Sequence, residues 1–275
     1  MNRITWLGHS TVVIEVDGTR VVTDPALRRR IWHLRRSEAV TTAAVGELDG
    51  VLISHAHFDH LDLRSFESFD RSLRVVVPEG AGGLVRGRGF SRVLEVVAGD
   101  ELELGGVRVW VTHAEHAPGR GPFSPRSAAL GYVVHGSVSV YFAGDTDLFD
   151  GMTKLGTLDL ALLPVWGWGP RLPAGHLDPL RAAEALRLLR PRAAVPIHWG
   201  TFKTPFASKS GSAPAREFAR AAARLAPEVE VHTLQIGDSL ALAQTDPVES
   251  SPQGDAGSSG GGGRWVATRS TSSTK

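Results

Sequence analysis

The sequence predicts an α/β protein in which layers of β-sheet are covered by helices. Three observations carry that expectation. Many short β-branched or apolar runs are bounded by Gly, Asp and Pro turn signals. Two later segments repeat apolar residues with the period of a one-faced helix. The composition, 42% apolar and 21% charged over 275 residues, is that of an ordinary globular chain. Thirty Lys and Arg against 29 Asp and Glu leave a formal net charge of +1, so no chain-wide field attracts a polyanion and no nucleic-acid partner is expected. The absence of Cys excludes disulfide scaffolds, thiolate zinc sites and Cys nucleophiles, so any metal must be held by His and carboxylates.

In chain order, strands are expected at Ile4 to Leu7, Thr11 to Val16, Arg20 to Thr23, Val51 to Ser54, Arg74 to Val77, Val93 to Val97 and Val107 to Thr112. Further strands follow at Leu130 to Val134, Val138 to Phe142, Leu160 to Leu163, Ala193 to Ile197 and Val229 to Thr233. Asp178 to Arg190 reads as a helix whose face is Leu180, Ala183, Leu186 and Leu188-Leu189, with Asp178 able to cap it. A second helix is expected from about Ala213 to Leu225. Residues 243–275, rich in Gly and Ser, have too little apolar surface to offset the entropy of ordering and read as a flexible tail on a single domain, residues 1–242. No apolar run reaches the roughly 18 residues of a transmembrane helix. The N-terminal residues read as a strand rather than a signal peptide, so a cytoplasmic protein is expected.

The chemistry concentrates in His55-Ala56-His57-Phe58-Asp59-His60, directly after the strand Val51 to Ser54. Four imidazole or carboxylate donors in six residues cannot all turn toward one ion, but a loop entering a helix can divide them between two: His55 and His57 for one, Asp59 and His60 for the other. Neutral imidazole and carboxylate suit Zn(II), Mn(II) or Fe(II), and four donors do not complete two coordination spheres. The remaining candidates each follow a strand: His113 or His116, Asp145, and His198.

This constellation, with Gly144-Asp145-Thr146 and a His after a further strand, resembles the metallo-β-lactamase-fold hydrolases, and the resemblance runs from Trp6 to about Ala243. More narrowly, Trp6-Leu7-Gly8-His9-Ser10, Thr23-Asp24-Pro25, Phe142-Ala143-Gly144-Asp145-Thr146 and Ile197-His198-Trp199-Gly200-Thr201 are similar to the branch that contains ascorbate 6-phosphate lactonase and N-acyl phosphatidylethanolamine phospholipase D. The resemblance implies a four-layer αββα sandwich and two divalent ions, Zn(II) first and Mn(II) as the alternative. His55, His57 and His116 would hold the first ion, Asp59, His60 and His198 the second, with Asp145 bridging. His116 is preferred over His113 because Ala114-Glu115-His116 matches the branch's short turn. Asp24 resembles an acid that orients a ligand imidazole, though it is also a natural turn residue before Pro25.

Two ions about 3.5 to 4 Å apart lower the pKa of a shared water toward about 7 and stabilise the charge formed on attack, so the implied activity is hydrolysis of a phosphodiester or lactone by a metal-bridging hydroxide. Asp59 and His176 are the catalytic candidates: Asp59 to orient the water or accept its proton, His176 to protonate the leaving group. His176 is equally an ordinary loop residue beside a helix cap. His9 is expected near the site in a supporting role.

The run Leu27 to Arg36 holds five Arg and four large apolar residues. It reads as a solvated basic helix or as a run that meets an anionic phosphate or a lipid headgroup surface; the expected partner is a small-molecule or lipid-like anionic substrate. Trp166 and Trp168 either wall a pocket or cover the core edge. Competing functions fit less well. Many exported β-lactamases place Cys or His where Asp145 stands. Only 53 residues separate Asp145 from His198, too few for the insertion of one nuclease class, and no arm for clamping tRNA is evident. A diiron oxidoreductase would carry Glu in place of His57. A non-catalytic binding module would be expected to have lost a ligand.

Overall fold

The computed structural model describes residues 1–117, 127–167, 172–203 and 211–243, all within one compact unit, Met1–Gln244. The tail beyond residue 243, Trp168 and parts of the loops 117–128 and 166–177 lie outside the described residues. The N-terminal half contains β1 (Asn2–Trp6), β2 (Val12–Val16), β3 (Thr19–Thr23), β4 (Arg30–Ile31), β5 (Leu34–Arg36), β6 (Gly50–Leu52), β7 (Arg74–Pro78), α1 (Gly82–Arg86) and β8 (Val93–Val96). The second half contains β9 (Glu101–Leu104), β10 (Val107–His113), β11 (Leu130–His135), β12 (Ser139–Phe142), β13 (Leu160–Pro164), α2 (Pro179–Leu189), β14 (Ala193–Ile197), β15 (Phe202–Lys203), α3 (Ala213–Leu225), β16 (Glu230–Val231) and β17 (Ser239–Leu242).

Two seven-stranded mixed sheets dominate, ordered β17-β1-β2-β3-β6-β7-β8 and β16-β14-β13-β12-β11-β10-β9. In each, an antiparallel half passes into a parallel half, at β3–β6 in the first and at β12–β13 in the second. The two-residue side-chain alternation of strands explains the layering. On β2, Val12 and Ile14 join the larger core cluster with Tyr132, Phe142 and Leu160 of the second sheet. Val13, between them, faces the other way with Val51, Val75, Phe66 and Phe90. Helices α2 and α3 bury Ala182, Leu186 and Phe218 on the second sheet's side. The layer beyond the first sheet is thinner, contributed by α1 and a short 3-10 turn at Ser65–Ser68. This is the expected αββα sandwich. Among the described residues no helix is long and apolar enough to cross a membrane.

The α2 segment starts as its sequence implies. The Asp178 carboxylate accepts from the Arg181 amide at 2.8 Å, Pro179 opens the helix, and Arg190 closes it in a left-handed conformation (φ +48°). The basic run is a correction: Leu27 to Arg36 is not a helix. Arg30–Ile31 and Leu34–Arg36 pair as an antiparallel hairpin, joined through β15 into a three-stranded sheet. Ile31, Leu34 and Arg36 are buried while Arg30 and Arg35 are exposed, a period near two that excludes a helical face. Strand β9 was hidden because Glu101 and Glu103 dilute its apolar character, although they alternate with Leu102 and Leu104.

Candidate metal centre

The parallel halves place their carboxyl ends together, and loops leaving those ends carry the donors. Asp24 follows β3, the His55-to-His60 loop follows β6, Asp145 follows β12 and His198 follows β14. The Asp24 amide donates to Leu52 O (3.0 Å), and the Ser54 amide returns a bond to Asp24 Oδ1 (2.7 Å), welding two strand ends. The Leu130 amide bonds Ser54 O (2.9 Å) and Tyr132 Oη donates to Ile53 O (2.7 Å), which ties the second sheet to the same loop. That approach needs glycine at 144. A Cβ there would meet Ser54 Cβ at 2.6 Å and Leu130 O at 2.8 Å, and its φ is +62°.

The His55 loop then turns tightly, with the His60 and Leu61 amides donating to His57 O (3.1 and 2.8 Å). The imidazoles converge by their nitrogens. His57 Nδ1 lies 2.9 Å from His55 Nε2 and 3.2 Å from His116 Nε2. His60 Nε2 lies 3.3 Å from His198 Nε2. Asp145 stands between the groups: Oδ2 is 3.2 Å from His60 Nε2 and 4.0 Å from His55 Nε2, and Oδ1 is 3.2 Å from His198 Nε2. Asp59 Oδ2 is 3.8 Å from His60 Nε2 and 3.0 Å from His9 Nε2.

Four of these rings have their other nitrogen already engaged. His55 Nδ1 donates to Ser54 Oγ (2.9 Å), His60 Nδ1 to Asp24 Oδ2 (2.7 Å), His116 Nδ1 to Gly175 O (2.7 Å) and His198 Nδ1 to Trp166 O. A protonated Nδ1 leaves Nε2 as a lone pair directed inward in the neutral ring. Lone pairs facing one another near 3 Å repel unless a cation or proton lies between them. Asp145 Oδ1 supports the same conclusion, since it is buried with no hydrogen-bond partner. The donor set therefore fits divalent ions in two neighbouring groups, one around His55, His57 and His116 and one around Asp59, His60 and His198.

The charge states agree with a site prepared for positive charge. Burial works against ionising Asp145, but the electrostatic pull of the imidazoles beside it, His198, His60 and His176, holds its carboxyl well below the usual range. Asp59 is likewise held low against burial by His60 and by its bond to His9. His60 is pushed well above the usual imidazole value, because Asp145, Asp59 and Asp24 outweigh its burial. Burial, aided by neighbouring imidazoles, lowers His9 to about 3 and His116 to about 4.

His176 Nε2 stands 3.4 Å from Asp145 Oδ2, with its ring edge-on to His116 at 4.6 Å. Burial opposes its protonation, but the bond to Asp145 raises its pKa. His113 turns away toward Glu115 (3.3 Å) and is half exposed, whereas His116 points its Nε2 to within 3.2 Å of His57 Nδ1. Asp24, with φ +35°, accepts from Ser54 N, Ser54 Oγ and His60 Nδ1 and is completely buried, which a simple turn residue would not be. Sequence reasoning missed Ser54, Trp166 O and Gly175 O as ring anchors. Two are backbone carbonyls, which no side-chain pattern can announce.

Two mixed sheets between outer helices, with buried His and Asp donors at the carboxyl ends of their parallel strands, define the metallo-β-lactamase fold. The chain belongs to the Beta-lactamase superfamily domain family, whose model matches residues 19–199. It is 32% identical over 248 residues to a UPF0173 metal-dependent hydrolase of Caldivirga maquilingensis, covering 88% of this chain and 99% of that protein. It is 30% identical over 227 residues to N-acyl-phosphatidylethanolamine-hydrolyzing phospholipase D 1 of Caenorhabditis elegans, covering 72% of this chain and 64% of that one. Among solved structures, Igni18, a metallo hydrolase of Ignicoccus hospitalis, superposes with a TM-score of 0.69 at 23% identity, over 88% of this chain and 98% of that one. CmlA, a diiron β-hydroxylase from Streptomyces venezuelae, superposes with a TM-score of 0.70 at 22% identity, over 88% of this chain and 54% of that one. The last two similarities establish the shared fold alone.

Proposed function

We propose that this chain is a dinuclear metal-dependent hydrolase that cleaves a phosphodiester or lactone in an anionic, amphiphilic substrate. The observation that carries the reading is the set of inward-facing imidazole nitrogens around Asp145, four of the five rings anchored through their opposite nitrogen. His55, His57 and His116 would hold one ion, Asp59, His60 and His198 the other, and Asp145 both. Five imidazoles among seven ligands favour Zn(II), with Mn(II) the alternative. When bound, such a pair lowers the pKa of water toward neutrality and polarises the scissile bond.

The protein's own groups divide the remaining work. Asp59, kept ionised, accepts the attacking water's proton at a carboxylate oxygen. His176, whose contact with Asp145 raises its pKa against its burial, is placed to deliver a proton from Nε2 to the leaving oxygen. Its side chain retains 14% exposure, so it is reachable from the substrate's side.

The substrate class rests on the β4–β5 hairpin. Arg28 binds Asp62 through two bonds of 2.7 Å, which ties the hairpin to the loop just after His60. Trp32, 73% exposed, meets the ring of Phe58 at 5.4 Å, and Phe58 is the residue between His57 and Asp59. Exposed Arg29, Arg30 and Arg35 flank this apolar ledge. Aromatic rings beside guanidinium groups suit a molecule with an apolar body and an anionic group. The names of the relatives, a metal-dependent hydrolase and a phospholipase, support the same class. A cytoplasmic location belongs to this proposal, since a Cys-free fold requires no oxidising compartment.

The test is a panel assay with purified protein in defined Zn(II) or Mn(II), comparing a soluble phosphodiester, a lactone, a lipid phosphodiester, a precursor tRNA and single-stranded DNA. Metal-dependent turnover of one of the first three supports the reading. Turnover of nucleic acid alone, or of nothing, overturns it.

A further inference from the structure

The turn after β1 is built around a constrained histidine. Gly8 (φ +96°) and His9 (φ +55°) both lie in the left-handed region, where a non-glycine residue is uncommon. The His9 backbone is held from three directions: its amide donates to Thr201 Oγ1 at 2.6 Å, and its carbonyl accepts from Trp6 Nε1 at 2.9 Å and from the His198 amide at 3.0 Å. A Cβ at position 8 would stand 2.9 Å from the Thr201 side chain, so the turn and the loop after His198 are closely packed.

The ring is fixed as firmly as the backbone. It lies 3.9 Å from the His198 ring, and the edge of Phe202 packs on it at 5.0 Å. His9 is 2% exposed. This bracing leads to one polar contact, His9 Nε2 to Asp59 Oδ2 at 3.0 Å. An ionised carboxylate only accepts, so the nitrogen donates. Elsewhere in the centre a carboxylate, hydroxyl or carbonyl orients an imidazole. Here an imidazole orients a carboxylate.

We propose that His9 is a positioning residue for Asp59. Its Nε2–H clamps the carboxylate beside His60 and His198, so the second ion meets a prearranged oxygen donor. The proposal rests on the ligand assignment given under Proposed function. A backbone held in a sparsely populated conformation by several bonds is the usual sign of a geometry retained for function. Losing a partner that orients a ligand typically weakens metal binding about 10- to 100-fold.

Three substitutions separate the clamp from mere packing. His9→Asn suits the left-handed backbone, yet its amide falls short of Asp59. His9→Phe keeps a ring without the donor. His9→Gln restores an N–H at the reach of Nε2. Full-length protein, stripped with a chelator, is titrated with Co(II) followed by its visible absorption and with Zn(II) by calorimetry. Thermal unfolding of the metal-free forms serves as the fold check.

The expected result is that His9→Asn still folds cooperatively while its second ion binds about 10- to 100-fold more weakly. The first ion changes less than about threefold, and His9→Gln recovers most of the loss. Should His9→Phe fail to fold, the Asn and Gln pair still decides. Wild-type affinity for both ions in His9→Asn, or a Gln variant as weak as Asn, overturns the proposal while leaving the ligand assignment intact. A wild-type chain that takes up fewer than two ions removes the assignment itself, and this proposal falls with it.

Discussion

The two halves of the centre differ in charge and in exposure. Around the place proposed for the first ion stand three imidazoles, two of them only half buried, backed by the Ser54 hydroxyl and a backbone carbonyl. Around the second stand Asp59, His60 and His198, all buried, backed by the Asp24 carboxylate and braced by His9. Both halves draw on the same six-residue motif. What separates them is what lies behind each ring. A carboxylate behind His60 strengthens it as a donor, whereas neutral oxygens behind His55 and His116 do so less. The second place should bind its ion tighter, and the first should exchange more readily with solvent.

The largest expected effect erases the comparison. In the proposed ligand assignment Asp145 serves both halves, so Asp145→Ala should lose at least one ion and several kcal/mol of transition-state stabilisation, about a thousandfold in turnover. Metal analysis beside kcat checks this. Next, Asp24→Asn should weaken the second ion about 10- to 100-fold and the first, which Asp24 reaches only through the Ser54 hydroxyl, by less. Ser54→Ala, which removes the hydroxyl behind His55, should act more on the first ion and by less, a few-fold. A calorimetric titration in which Asp24→Asn weakens both ions equally would show the halves to be one unit.

The smallest effect is on the metal-free protein. His9 at about 3 and His116 at about 4 lie below the roughly 6.5 of an unfolded chain, so unfolding takes up protons between those limits. Stability should therefore rise with pH from about 4 to 6.5. His60 and His176 are raised, so the stability they contribute is complete below about 6.5 and is lost as pH climbs through their folded values. Chelated protein should be most stable near pH 6.5, read as the unfolding midpoint across a pH series. A midpoint that climbs steadily through pH 8 would contradict the charge states. Adding ions should lift the alkaline side, because His60 must release its proton to bind metal.

How much of this was legible in the sequence follows from where the information resides. The motif His55 to His60 and the strand ends before Asp145 and His198 are local patterns of side chains, and the structure brings those residues together. The α3 segment, Ala213–Leu225, was readable to the residue because its apolar spacing has no competing period. The hairpin at 30–36 was not. Five Arg in ten positions resemble a solvated helix, and only the partner strand β15, far along the chain, gives Arg36 a place to be buried. The anchoring of His116 by Gly175 O and of His198 by Trp166 O was beyond reach for a similar reason: a carbonyl acquires its role only when the chain folds past it.

The most direct test is a crystal structure of zinc-loaded protein with anomalous scattering measured at the zinc edge. Two peaks about 3.5 to 4 Å apart, one against His55, His57 and His116, the other against Asp59, His60 and His198, with Asp145 touching both, is the result expected. A single peak, or a pair that leaves Asp145 uncoordinated, would contradict it.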